Sequence, residues 1–148
     1  MSGDWPIVDE VDPAEACELL ESDPDTALID VRTQAEWAFV GLPDLAALGR
    51  PLWPVEWVVF PSMARNPEFA SELAARMDGK PPARLFFICR SGVRSMAAAQ
   101  SVAATLAEQG VAVHCTNVAE GFEGDLDQDG CRGRVNGWKA RGLPWRQN

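Results

Sequence analysis

The run Leu85-Phe86-Phe87-Ile88 is continuously apolar. It is followed by Cys89-Arg90-Ser91-Gly92-Val93-Arg94-Ser95, made of turn formers and cations, and then by a small-residue helical run from Met96 to Glu108. A buried strand, a short polar loop and a helix in that order constrain the chain more than any other stretch does, because they place a cysteine at the end of a strand, facing a helix start. Consecutive backbone N–H groups in such a loop can curl around one point, and the helix N-terminus adds partial positive charge there. The occupant of that point is expected to be an anion. The first candidate is the thiolate of Cys89, since a thiol is acidified by a helix N-terminus and by adjacent arginines, here Arg90 and Arg94. Cys89 is therefore expected to act as a nucleophile at neutral pH.

An isolated cysteine after an apolar strand is more often a small buried hydrophobe. The loop reverses that weighting, because two arginines, two serines and a glycine are costly to bury for packing alone.

The rest of the chain supports an α/β reading. Asp12 as N-cap, Pro13 at the first helical position and Glu15 three residues after the cap predict a helix to about Glu21. Ala27-Leu28-Ile29-Asp30-Val31 is too short for a helix and is bounded like a buried strand. Val55 to Phe60 reads as a strand, and Asn66-Pro67 opens a helix in which Phe69, Leu73 and Met77 recur at i+4. After the helix that follows the loop, Gly110 is a stop and Val111 to Cys115 reads as a further strand. Alternating strands and helices imply a parallel sheet with helices on both faces. Gly124 to Gly137 is polar and glycine-rich and is expected as an exposed insertion, after which a helical turn near Trp138 and the two tryptophans Trp138 and Trp145 pin the tail.

With 148 residues, 47% of them hydrophobic, the chain is expected to fold as one domain, residues 1–148, with an adequate core. A net charge of −9 argues against nucleic acid or an anionic membrane surface as the main partner. No apolar stretch approaches the roughly 20 residues that span a bilayer, and Met1 to Trp5 lacks the features of a signal peptide, so a cytoplasmic location is expected. Cys17, Cys89, Cys115 and Cys131 form no C-x-x-C pair, and His114 is the single histidine, which points to free thiols and no metal site.

The motif Cys89-Arg90-Ser91-Gly92-Val93-Arg94-Ser95 resembles the active-site loop of the rhodanese family. Asp30-Val31-Arg32 with Glu36-Trp37 is similar to its upstream motif, and Asn117 to Phe122 with Gly142-Leu143-Pro144 is similar to its closing pattern. The resemblance spans nearly the whole chain and implies a central parallel five-stranded sheet flanked by helices. It further implies a sulfurtransferase in which Cys89 takes a sulfane sulfur from a small donor such as thiosulfate and yields it to a thiol, to cyanide or to an acceptor protein, without a metal or organic cofactor. On that reading Arg90 and Arg94 hold the donor's anionic group, the backbone from Ser91 through Gly92, Val93 and Arg94 to Ser95 surrounds the transferred sulfur, and Gly92 lets the backbone approach. Asp30 and Arg32 are expected to support the loop from beneath, and Glu36 and Trp37 to tie down the next segment.

Two alternatives stand beside it. Phosphatases and arsenate reductases use a cysteine and an arginine on a related loop that is one residue longer, as a phosphoryl group requires, whereas the sixth residue after Cys89 is Ser95. The other is a non-catalytic module that only docks partners. Where the family commonly has Gly-His-Ile-Pro-Gly-Ala, this chain has Gly41 to Ala46, so the next strand is not placed by the resemblance. Asp125, Asp127, Asp129 and Gly130 open like a calcium loop, but Asn136 stands where a bidentate glutamate is needed. They are read as an acidic insertion in which Arg132 and Arg134 pair with the aspartates. Cys131 lies on it, while Cys17, Cys115 and a sheet-edge His114 are read as structural.

Overall fold

The structure is a computed structural model that describes residues 7–147; residues 1–6, including the N-terminal segment considered above, and residue 148 lie outside the described residues. In chain order the elements are β1 (Asp9–Val11), α1 (Pro13–Ser22), β2 (Thr26–Asp30), α2 (Gln34–Phe39), β3 (Leu42–Pro43), a 3-10 turn (Ala46–Leu48) and β4 (Leu52–Pro54). They continue with β5 (Val58–Val59), β6 (Ala64–Arg65), α3 (Phe69–Met77), β7 (Arg84–Ile88), α4 (Val93–Glu108), β8 (His114–Val118) and β9 (Trp145–Arg146). Five of the described strands form one all-parallel sheet in the order β1-β8-β7-β2-β4.

Side chains alternate along the strands and so divide the core in two. Leu85 and Phe87 of β7, with Ala27 and Ile29 of β2, pack against Phe69 and Leu73 of α3 and Ala98, Ala99 and Val102 of α4. Phe86 and Ile88, with Leu28, face Ala16, Cys17 and Leu20 of α1 together with Phe122 and Trp138. All four apolar residues of β7 are fully buried, and each such side chain contributes about 1.5–3 kcal/mol relative to exposure. This is why β7 reads as an unbroken apolar run and why it lies at the sheet's centre.

The first helix starts as its sequence predicts: Asp12 accepts the Glu15 N–H at 2.9 Å, with Pro13 at the first position. Three readings are corrected. The fifth sheet strand on the β2 side is Leu52–Pro54, while the expected strand Val55 to Phe60 contributes only Val58–Val59, paired antiparallel with Ala64–Arg65 in a small ribbon. Pro51 and Pro54 hide β4 from sequence patterning, although proline is admissible on an edge strand where no partner needs its N–H. The last sheet strand runs from His114 to Val118 rather than from Val111 to Cys115, its polar residues Thr116 and Asn117 being buried through side-chain hydrogen bonds. Finally, α4 begins at Val93 instead of Met96, so Arg94 and Ser95 stand in its first turn.

Residues 124–137 form turns and bends without helix or strand. Trp138 is buried and its indole N–H donates to Pro144 O, whereas Trp145 is partly exposed and meets the Phe122 ring edge-on at 6.1 Å. No helix among the described residues is long and apolar enough to cross a membrane.

Candidate active site

Cys89 directly follows β7, at the carboxyl end of the central strand, and is 1% exposed. Two groups reach its Sγ: the Gly92 N–H donates to it at 3.1 Å, and Ser95 Oγ lies 3.2 Å away. Gly92 is the N-cap of α4 with φ 110°, a left-handed conformation that L side chains rarely adopt, and this turns its N–H back onto the sulfur. The glycine is needed for that conformation rather than for room, since an added Cβ would have nothing nearer than 3.7 Å. The helix N-terminus thus points at the thiol as the sequence implies.

Ser95 is fully buried, and its Oγ lies within hydrogen-bond distance of Asn117 Oδ1 as well. The Asn117 amide is fixed in orientation because its Nδ2 donates to Glu10 Oε2 at 2.8 Å and to Gly92 O at 3.1 Å. Its oxygen therefore faces Ser95, whose single hydroxyl proton serves either Asn117 or the sulfur. Asn117 was legible in sequence as part of the closing motif, but its reach into the loop was not. Only the parallel pairing of β8 with β7 and β1 brings Glu10, Asn117 and the loop into one line.

Asp30 ends β2 in register with Ile88, one residue before Cys89. Its carboxylate takes the Arg32 guanidinium at 2.9 and 2.6 Å, and Arg32 Nη2 also donates to Gly41 O at 2.8 Å. Both side chains are fully buried, with the Arg32 guanidinium carbon 4.2 Å from the centre of the Phe122 ring. Phe122 in turn donates its N–H to Cys89 O at 2.8 Å. The pair thus reaches the backbone of Cys89 through Phe122.

The rear of the loop is closed by the turn at Gly121, which has φ 68°. A Cβ there would fall 2.5 Å from Cys89 O and from the Arg90 carbonyl carbon. Glu123 and Gly124 both donate their N–H groups to Arg90 O, at 3.0 and 3.1 Å. Glu120 holds the tail through Arg141, at 2.9 and 2.7 Å, and through the Gly137 N–H. The Arg141 bonds come first among the influences on the Glu120 carboxyl and hold it below the usual range.

The two loop arginines differ. Arg90 is exposed and makes no side-chain ion pair among the described residues, whereas Arg94 closes onto Glu36 through two hydrogen bonds. Burial pushes the Glu36 carboxyl up, but the Arg94 bonds and charge outweigh it and hold the group below its ordinary value. Glu36 also completes a capping box with Thr33 at the start of α2. Beside the loop lies a cavity of about 400 Å³, with Arg90, Arg94 and Glu36 in its wall.

Arg132 of the insertion is a further wall residue, which sequence reading missed. It was expected to pair with the loop aspartates, yet it donates to Gly124 O at 2.7 Å, and only Arg134 contacts Asp127. Asp127 instead accepts the Asp129 and Cys131 N–H groups, and Asp125 accepts from Asn136, so these carboxylates serve the loop's own closure. His114 stands at the amino end of β8, the second strand of the sheet rather than its edge, with Nε2 2.9 Å from Asp9 Oδ1. It pairs in register with Arg84 at the start of β7, the opposite end from Cys89. Burial pushes the Cys115 thiol up to about 12.

The comparisons with known proteins agree with this architecture. No family model matches the chain. It is 33% identical over 139 residues to the uncharacterized protein RP600 of Rickettsia prowazekii, covering 94% of this chain and 98% of that one. Among solved structures, Rv0390 from M. tuberculosis is 42% identical, with a TM-score of 0.81 over 95% of this chain and 98% of the other. The polysulfide-sulfur transferase of Wolinella succinogenes shares the fold, at 22% identity and a TM-score of 0.59 over 95% and 80% of the two chains. The chain therefore belongs to one family with RP600 and Rv0390, built on a rhodanese-like α/β fold.

Proposed function

We propose that this protein is a sulfurtransferase that carries sulfane sulfur as a persulfide on Cys89. The observation that carries the reading is the convergence of the Gly92 N–H and the Ser95 hydroxyl on Cys89 Sγ at the start of a helix. The Gly92 N–H, fixed before the reaction, stabilises sulfur-centred negative charge without reorganising, and the Ser95 hydroxyl adds to it by turning its proton to the sulfur. With thiosulfate, the Cys89 thiolate attacks the outer sulfur, the S–S bond breaks and sulfite leaves with the electron pair. Cys89 is left as a persulfide. A thiol, cyanide or an acceptor protein's cysteine then attacks the terminal sulfur and regenerates the thiolate. Arg90, without a carboxylate partner among the described residues, meets the donor's anionic end; Asp30 and Arg32 hold the loop from beneath. The loop favours sulfur over phosphate, since the sixth residue after Cys89, where a phosphoryl-binding loop of this kind carries its arginine, is Ser95.

The test is intact-mass measurement after incubation with thiosulfate or inorganic polysulfide. The expected product is one sulfur atom heavier, is reversed by cyanide with release of thiocyanate, and is not formed by Cys89→Ala. No adduct from either donor in the native protein overturns the reading. Turnover of an aryl phosphate that is lost in Cys89→Ser would assign the site to phosphate instead.

A further inference from the structure

We propose that Arg132 is a specificity residue of this site, and that among organic persulfides the site favours a small one bearing a carboxylate. This rests on the sulfur-transfer reading above and adds to it the chemistry of the group attached to sulfur.

Three observations carry it. The first is charge. The cavity beside the loop is lined by three arginines, Arg90, Arg94 and Arg132, against two carboxylates, Glu36 and Glu123, so one positive charge is left for a ligand. Glu36 is spent on Arg94. Neither Arg90 nor Arg132 has an ion-pair partner among the described residues.

The second is placement. Arg132 is not a loose surface cation: one guanidinium nitrogen donates to Gly124 O, and the Gly124 N–H donates to Arg90 O. The Gly133 N–H donates to Glu123 O at 2.7 Å, and Asn136 closes the base of the insertion onto Asp125. The insertion is therefore anchored on the residue next to Cys89. It uses one N–H of Arg132 and leaves the rest of the fork for a planar acceptor such as a carboxylate.

The third is the size and polarity of the remaining wall. The cavity, of about 400 Å³, is open to solvent and has room for an organic stem beside the loop. Val40, Phe60 and Met63 give it an apolar side. Phe60 and Met63 are 62% and 47% exposed on the turn between β5 and β6, an arrangement that offers contact area to an organic stem. In the step this implies, the Cys89 thiolate attacks the terminal sulfur of R–S–SH, and a new S–S bond forms as the old one breaks. The organic thiolate RS⁻ leaves with the electron pair, and the terminal sulfur keeps its proton. No oxidant or reductant is consumed.

The experiment compares single-turnover persulfidation of Cys89, read by intact mass, from the persulfides of 3-mercaptopropionate and of 2-mercaptoethanol. These are of similar length but differ in charge. The native protein is expected to favour the carboxylate donor by about tenfold, the scale of one charge-assisted contact. Arg132→Ala should bring the ratio close to one and Arg132→Lys should keep part of the preference. Arg134→Ala, on the same insertion but outside the cavity wall, should keep the native ratio. A native ratio near one, or a preference that survives in Arg132→Ala, overturns the assignment while leaving sulfur transfer intact. Absence of sulfur on Cys89 from every donor overturns both.

Discussion

Arg94 and Glu36, 58 residues apart in the chain, face each other as a closed two-bond pair, at 2.8 and 3.0 Å, with less than a fifth of either side chain exposed. The pair joins the first turn of α4 to the first turn of α2, and it removes one of the loop's two cations from the field seen by a substrate. Glu36→Gln keeps the oxygen shared by Thr33 and Arg94 Nη1 but removes the charge and the second bond to Arg94, so it loosens the pair. A loss of about 1–3 kcal/mol in urea unfolding is expected for a largely buried charge whose partner is weakened. The KM for thiosulfate should fall severalfold. A raised KM would mean that Glu36 presents Arg94 to the donor rather than withholding it.

Ser95 has one proton for two acceptors, Cys89 Sγ and Asn117 Oδ1. Ser95→Ala removes the hydroxyl while the Gly92 N–H stays in place, so persulfide formation should slow about tenfold or more, as for the loss of one fixed donor at a developing anion. The thermal midpoint should fall by only a few degrees. Stopped-flow measurement of the first turnover checks this, and an unchanged rate would leave Gly92 as the group that matters.

A Cβ on Gly121 would meet the Cys89 and Arg90 carbonyls, which are backbone rather than a pliable side chain. Gly121→Ala must displace the loop or the turn, at a cost above about 2 kcal/mol. Activity should be lost even where the variant folds. Gly130→Ala is the control, because its φ is also positive but nothing lies within 4 Å of its added Cβ.

Asp30 and Arg32 form a fully buried pair, so removing one member strands the other. Arg32→Leu is expected to cost about 3–5 kcal/mol, and the double change Asp30→Asn with Arg32→Leu less than the sum of the single changes. A double-mutant cycle by chemical denaturation measures the coupling. Additive losses would mean the two groups act independently.

Glu36, Glu120 and Asp9 all have carboxyl values depressed on folding; for Glu36 and Asp9 burial opposes the shift and for Glu120 the Arg141 bonds lead it. Depressed groups stabilise the fold at pH above their unfolded values, about 4. That contribution is lost as pH falls through the lower folded values. Stability should hold from pH 7 to about pH 5 and then drop, with a shallower drop in Glu36→Gln. Cys115 has the opposite sign: its thiol, raised to about 12, favours the fold fully below its ordinary value of 9.0 and loses that as pH rises toward 12. Native alkylation at pH 8.5 should spare Cys115, as peptide mapping would show.

Local sequence determined the parts of this molecule whose causes are local. The apolar run of β7, the Asp12 cap with Pro13 and the i+4 spacing of Phe69, Leu73 and Met77 each act over a few residues, and each marks its element, although α3 starts at Phe69 rather than at Asn66-Pro67. The cysteine loop was legible for the same reason, since its glycine, its N–H groups and the helix start are contiguous. The edge strands were not. Asp9–Val11 is largely polar and Leu52–Pro54 is bounded by prolines, and both are strands because a neighbour supplies the ladder. The division of labour among the cations was also beyond the sequence: Arg94 is closed by a glutamate 58 residues away, Asn117 reaches the loop through β8, and Arg132 enters the cavity wall from an insertion that composition marks only as polar. Charge and hydrogen-bond partners are chosen by proximity in space, and only the parallel sheet and the packing of the tail against Phe122 decide which groups meet Cys89.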